Sequence, residues 1–183
     1  MPIQKTDRDT ILQAAVHCFK TRGFHQTSMA DLGEATGLLK GSLYHYFKNK
    51  DELAIEAVKW VEEWFERKVF APLLDSHGSI EKAWIQAWEA TLVYFTEREG
   101  GCLPGNLTLE VGLSHPVLLK ACQRYFSNWE KALAKGLERK KISKRESMAR
   151  AKSMVAEVQG LLLLERLQGK GLLKKRIAEW KKS

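Results

Sequence analysis

The stretch TGLLKGSLYHYFKNKDEL, residues 36–53, decides how this chain is read. Its centre is a short helical segment, about Leu39 to Phe47, in which Tyr44, His45, Tyr46 and Phe47 adjoin one another and Lys40, Lys48 and Lys50 flank them. At 100° per residue, Leu43 and Phe47 share one side, the core side. Gly41, Ser42 and His45 fall opposite, with Lys40, Tyr44 and Tyr46 on the flanks. Such a face suits a polyanion: lysines neutralise phosphates, while tyrosine rings pack on sugars and their hydroxyls reach phosphate oxygens. A glycine and a serine at its centre let the helix approach base edges in the major groove. Lys50 stands at the start of the next helix, where backbone N–H groups also favour an anion. A plain three-helix core with half-buried aromatics and solvated lysines has the same composition; the turn and caps around the stretch tell against it.

Upstream, an apolar stripe of Ile11, Leu12, Ala15, Val16, Cys18 and Phe19 predicts a helix from Thr6 to Arg22, stopped by Gly23. Ser28, with Asp31 three residues on, opens a second short helix as a capping box, with Met29 and Leu32 facing inward. Ala35-Thr36-Gly37-Leu38 forms the turn. Two short helices joined by a glycine-bearing turn and packed by a preceding helix make a helix-turn-helix.

From Thr27-Ser28-Met29-Ala30-Asp31-Leu32 through Thr36-Gly37-Leu38 to Lys40-Gly41-Ser42-Leu43-Tyr44-His45-Tyr46-Phe47-Lys48-Asn49-Lys50, about 45 N-terminal positions resemble the signature of the TetR family of transcriptional regulators. The resemblance implies that Ser28, Lys40, Ser42, Tyr44, Tyr46 and Lys50 stand at DNA-contacting positions, and the helix wheel adds Gly41 and His45 to the DNA-binding set. His45 is then a neighbour of the groove and not a catalyst. Leu39 and Gly33 depart from the pattern: the family often has a capping serine at the first position and alanine at the second.

The rest of the chain reads as helix, with neither strand-like alternation nor hairpin turns. Asn49, with Glu52, caps a fourth helix expected to end at Ala71 before Pro72. A fifth runs from Ile80 to Arg98, and a sixth near Leu103 to Val111. A long seventh begins at Ser114-His115-Pro116 and reaches about Lys141. Ser143 and Glu146 box an eighth that ends near Gln168, and a last short helix follows Gly171. The expected fold is all-α with about nine helices. Residues 1–50 form a three-helix DNA-binding domain, and residues 51–183 a helical ligand-binding and dimerisation domain.

Charge is unevenly spread within a net +8: +3 over residues 1–50, −5 over 51–134 and +10 over 135–183. A basic front suits DNA, and an acidic middle would repel it. In the basic tail, solvated lysines beside a dimer interface are the plainer reading than a second nucleic-acid surface. Three cysteines without CxxC spacing, no apolar N-terminal signal and no 18-residue apolar run lead to an expectation of a cytoplasmic protein with no membrane partner.

The family resemblance implies a homodimer on a double-stranded operator, with the last two long helices pairing with their symmetry mates. The stripe Met148, Ala151, Val155, Val158, Leu162 and Leu163 fits this, although a helix that simply packs on its own subunit would carry the same stripe. It also implies a small-molecule effector in the body, where aromatics at helical spacing could line a largely apolar pocket. Trp64, Trp88, Phe95, Tyr125 and Trp129, with Leu107, are the candidate lining residues. Gly101-Cys102-Leu103 is similar to a motif in a subgroup of these regulators, some of which respond to electrophiles or unsaturated acids. A cysteine at a helix N-terminus gains thiolate character, although a small buried packing residue looks the same in sequence. The expected protein is a dimeric repressor released from DNA by its effector; the alternative is an architectural or adaptor protein that binds DNA without one. No enzyme, metal or cofactor is expected: the histidines at 17, 25, 45, 77 and 115 show no metal-ligand pairing, and no phosphate-binding loop, dinucleotide fingerprint or nucleophile elbow is present.

Overall fold

The computed structural model describes residues 7–96, 99–112 and 114–182, and every regular element within them is helical. The helices are α1 (Arg8–Thr21), α2 (Met29–Thr36), α3 (Lys40–Tyr46), α4 (residues 50–74), α5 (Ile80–Thr96), α6 (Leu103–Val111), α7 (Pro116–Arg139), α8 (Lys144–Gln168) and α9 (Leu172–Trp180). Two compact units form, Met1–Val61 with Leu103–Gln123, and Glu62–Cys102 with Arg124–Ser183. Both α4 and α7 contribute residues to each unit.

In the first unit, α1 starts at Arg8, because the Asp7 carboxylate accepts the Thr10 N–H at 2.8 Å and satisfies a first-turn donor. Thr6 and Arg98, the limits expected for the first and fifth helices, lie outside the described residues. The stripe of α1 is buried as its period requires, together with Phe24 in the following loop and Leu32 in α2. Asn49 caps α4 through its side chain, accepting the Glu52 N–H at 2.8 Å. Glu52 reaches back one residue further than a simple capping box and accepts the Lys48 N–H at 2.7 Å.

The α4 helix does not end before Pro72. It runs as α-helix over Lys50–Phe65, widens to a π-helical turn over Glu66–Phe70, and resumes as Ala71–Leu74. A proline in plain α register would press on the carbonyl four residues back and leave it without a donor. Here the Ala71 N–H bonds to the Glu66 carbonyl, five residues back, so the wider turn precedes the ring. Pro72 then sits in the first turn of the resumed helix, where a missing N–H is tolerated. Arg139 closes the helix by donating to the Leu73 carbonyl at 3.0 Å and the Gly78 carbonyl at 2.6 Å.

In this second unit, α5 buries Trp84, Trp88, Tyr94 and Phe95. Trp84 donates its indole N–H to the Trp180 carbonyl at 2.6 Å and so ties α9 to α5. On α8 the inner face is Ala151, Val155, Val158 and Leu162, all buried within the chain, with Met148 half-buried. Most of the stripe offered from sequence as a dimer seam is therefore this chain's own core, since spacings of three, four and seven residues select the inner face equally well. The outer face carries Ala156, Gly160, Leu163 and Leu167 at spacings of four, three and four, all exposed. No helix among the described residues is long and apolar enough to cross a membrane.

Candidate functional site

The turn between α2 and α3 is built by two glycines. Gly37 takes the left-handed conformation (φ 69°) that ends α2, and its N–H reaches back to the Glu34 and Gly33 carbonyls. The Leu38 N–H bonds to the Gly33 carbonyl at 2.9 Å. That fold-back brings the Leu38 carbonyl to 2.7 Å from where a Cβ on residue 33 would stand. Glycine at residue 33 is thus a steric requirement of this turn.

The helix α3 is held down by Leu43, fully buried, and Phe47, which is buried under the Arg8 guanidinium at 5.4 Å. The other side is open: Lys40, Gly41, Tyr44, His45 and Tyr46 are exposed and Ser42 is half-buried. The wheel drawn from sequence is reproduced. Leu39 holds the N-cap position without a side-chain cap bond, a loss of about 1 kcal/mol to a helix of this kind.

Two of the sequence candidates have internal duties. Ser28 is exposed but occupied: its hydroxyl accepts the Asp31 N–H at 3.2 Å, and Asp31 accepts the Ser28 N–H at 2.7 Å. The Ser28 hydroxyl also donates to the Asp31 carboxylate, and this bond, together with that from the Ser28 N–H, holds the carboxyl below its ordinary range, with the Arg22 guanidinium 3.5 Å away adding to this. Lys50 is half-buried; its Nζ donates to the Phe24 carbonyl at 2.8 Å and lies 4.3 Å from the centre of the Phe24 ring. It braces the loop after α1 and does not stand free on the surface.

That loop has a second support which the sequence did not reveal. Glu110, in α6, accepts the N–H of Phe24 at 2.7 Å and of His25 at 3.3 Å, while its own carbonyl lies 3.1 Å from His25 Nε2. A Cβ at residue 23 would stand 2.9 Å from that carboxylate, so Gly23 leaves room for it. His115, at the start of α7, places its ring edge-on to Phe24 at 5.1 Å and is 3.8 Å from Asp51.

In the second unit, four of the proposed effector residues converge on one that sequence reasoning left out. Phe65 has its ring centre within 4.9 to 5.9 Å of those of Trp64, Tyr94, Phe95, Tyr125 and Trp129. Cys102 is buried and its thiol faces the Tyr125 hydroxyl. Burial holds that hydroxyl well above its ordinary range, and the thiol, Tyr94 and Glu62 add to the effect. The buried Glu62 takes a two-pronged bond from Arg124 and one from Asn128 at 2.8 Å. The buried indole N–H of Trp129 has no acceptor among the described residues. Trp88 belongs to a different group, with Trp84 at 5.9 Å and Trp180 at 4.5 Å. Leu107 is buried in α6, within the first unit. Among the described residues no three His, Cys, Asp or Glu side chains cluster as a metal site.

Residues 11–57 match the family model described as "Bacterial regulatory proteins, tetR family", and residues 80–174 match "Transcriptional regulator LmrA/YxaF-like, C-terminal domain". The HTH-type transcriptional regulator YxaF of Bacillus subtilis is 30% identical over 161 residues, covering 86% of this chain and 83% of that protein. The HTH-type transcriptional repressor KstR2 of Mycolicibacterium smegmatis is 39% identical over 57 residues, 31% of this chain and 28% of that one. Among solved structures, a TetR transcriptional regulator from Legionella pneumophila superposes with a TM-score of 0.86 at 21% identity, covering 100% of this chain and 98% of that one, a likeness of fold. These relatives are regulators of transcription and not enzymes.

Proposed function

The chain belongs to the TetR family of bacterial transcriptional regulators, and from that membership we propose that it is a dimeric, cytoplasmic repressor released from its operator by a small, largely apolar or electrophilic molecule. Residues 1–50 read the DNA in this proposal, and residues 51–183 hold the effector and the dimer interface. The observation that carries it is the open face of α3. Lys40, Gly41, Ser42, Tyr44, His45 and Tyr46 lie on the side away from Leu43, all of them exposed except the half-buried Ser42.

Dimerisation is supported by the outer face of α8. Gly160 has open space around it, and Leu163 (58% exposed) and Leu167 (77%) continue the same stripe. Small residues followed by leucines at heptad-like spacing suit close packing against a second helix. One helix-turn-helix reads one half-site, so two copies supply the specificity that an operator needs.

The effector enters, in this reading, among Phe65, Trp64, Phe95, Tyr125 and Trp129. Their rings already touch, so binding has to part them, and the free N–H of Trp129 suits a ligand that brings an acceptor atom. Burial of Cys102 against Tyr125 supports a lining role for it more than attack on a passing electrophile. Trp88 and Leu107 are the weaker members of the set. Differential affinity of the effector for two conformations is what would release the DNA.

Footprinting of the purified full chain on the DNA upstream of its own gene tests the proposal. Two protected half-sites, about one or more helical turns apart, are expected. A chain that protects no DNA at any physiological salt concentration would sink it.

A further inference from the structure

Two residues at the tip of the DNA-facing helix have no explanation in the fold. Leu39 is 81% exposed, in extended backbone, at the N-cap where a side-chain oxygen would bond the first amides, and it makes no such bond. Gly41, two residues later, has φ in no special region, and a Cβ there would meet nothing within 4 Å. A capping residue at 39 and alanine at 41 would each stabilise α3, and the exposure of Leu39 and the open space at Gly41 show no offset to either loss among the described residues. A lone exposed leucine is ordinary on a protein surface; one that displaces a helix cap beside a needless glycine is not. Both lie next to Lys40, on the face already assigned to DNA.

Building on that assignment, we propose that Leu39 is a sequence-reading residue. Its side chain packs against the C5-methyl group of a thymine in the major groove, and Gly41 lets α3 approach closely enough for the contact. Residues at the N-terminal end of a recognition helix are those that reach base edges. The thymine methyl is the one apolar group that the major groove displays. The neighbouring lysines and tyrosines bind phosphate and sugar whatever the sequence, so an apolar contact here adds discrimination and not general affinity.

The test uses the full chain and a duplex recovered by selection from a random pool. Each thymine of a half-site is replaced in turn by deoxyuridine, which removes only the methyl group. The unmodified chain is expected to lose roughly 3- to 10-fold in affinity at one position per half-site. Leu39→Ala binds the thymine and uracil duplexes equally. Leu39→Ser does the same while melting at a higher temperature, because its hydroxyl restores the cap; a folding defect is thereby excluded. Equal affinity of the unmodified chain for every uracil duplex overturns the proposal, as does an unchanged uracil penalty in Leu39→Ala. If selection recovers no duplex at all, the DNA-binding assignment fails; a duplex recovered without methyl dependence sinks the role of Leu39 alone.

Discussion

Glu110 accepts the backbone N–H of Phe24 at 2.7 Å across 86 residues of sequence, and the same carboxylate accepts the N–H of His25. A side chain of α6 thereby holds the loop that joins α1 to α2. Glu110→Ala leaves two amides without their acceptor, one of them part-buried, at a loss of about 1–3 kcal/mol. Urea unfolding checks this. Operator affinity is expected to fall in parallel, since the loop joins α1 to α2, which leads into α3. Glu110→Gln, which keeps an acceptor oxygen, retains part of both.

Gly33→Ala runs against helix propensity. Alanine gains about 1 kcal/mol over glycine in a helix interior, yet its Cβ would stand 2.7 Å from the Leu38 carbonyl, a backbone atom that cannot swing aside. The expected net effect is a loss of about 1–3 kcal/mol together with weaker DNA binding, seen by thermal melting and fluorescence anisotropy. A variant that melts higher than the parent contradicts the steric account of the turn.

The turn and α3 were legible in the sequence because their information is local. Gly37, the Ser28–Asp31 box and the spacing of Leu43 from Phe47 lie within twenty residues, and each acts on its neighbours. Glu110 and Lys50 were not legible as braces of the loop at Phe24, since nothing about a glutamate or a lysine records a carbonyl or amide far along the chain. The outer face of α8 was misjudged for another reason. Ala151, Val155 and Val158 form the more apolar stripe, and a stripe does not say whether it faces its own protomer or a partner. Phe65 was passed over because a buried phenylalanine among seven has no mark of its centrality until its neighbours are placed. Pro72 ended α4 on paper, and only the π-helical turn before it shows how the helix continues.

The Cys122 thiol gives a dependence at alkaline pH. Burial pushes it up to about 11 from an ordinary 9.0, against the opposing bond from Thr108. Below about pH 9 both folded and unfolded chains keep the proton, and the stability is fully present. Between about pH 9 and about 11 the unfolded chain releases its proton while the folded chain does not, so stability falls by up to about 3 kcal/mol. Cys122→Ala flattens that part of the pH–stability curve, measured by urea unfolding at each pH.

The exposed stripe on α8 is tested by charge. Leu163→Glu with Leu167→Glu places four carboxylates across a two-fold interface of helices. The pair is expected to convert the protein to monomer in analytical ultracentrifugation without loss of helix content. Operator affinity then falls at least 100-fold, because one half-site no longer assists the other. A dimer of unchanged affinity shows that the seam lies elsewhere.

The most direct test of the central claim is the operator affinity of Lys40→Ala and Tyr44→Ala beside the parent chain, across a range of salt concentrations. Both side chains are exposed, Tyr44 by 46%, so neither substitution disturbs the core. Each is expected to weaken binding about 10-fold or more at unchanged melting temperature, and Lys40→Ala to lower the salt dependence by about one counterion per protomer. Unchanged affinity and salt slope in both variants would contradict the assignment of α3 as the DNA-reading helix.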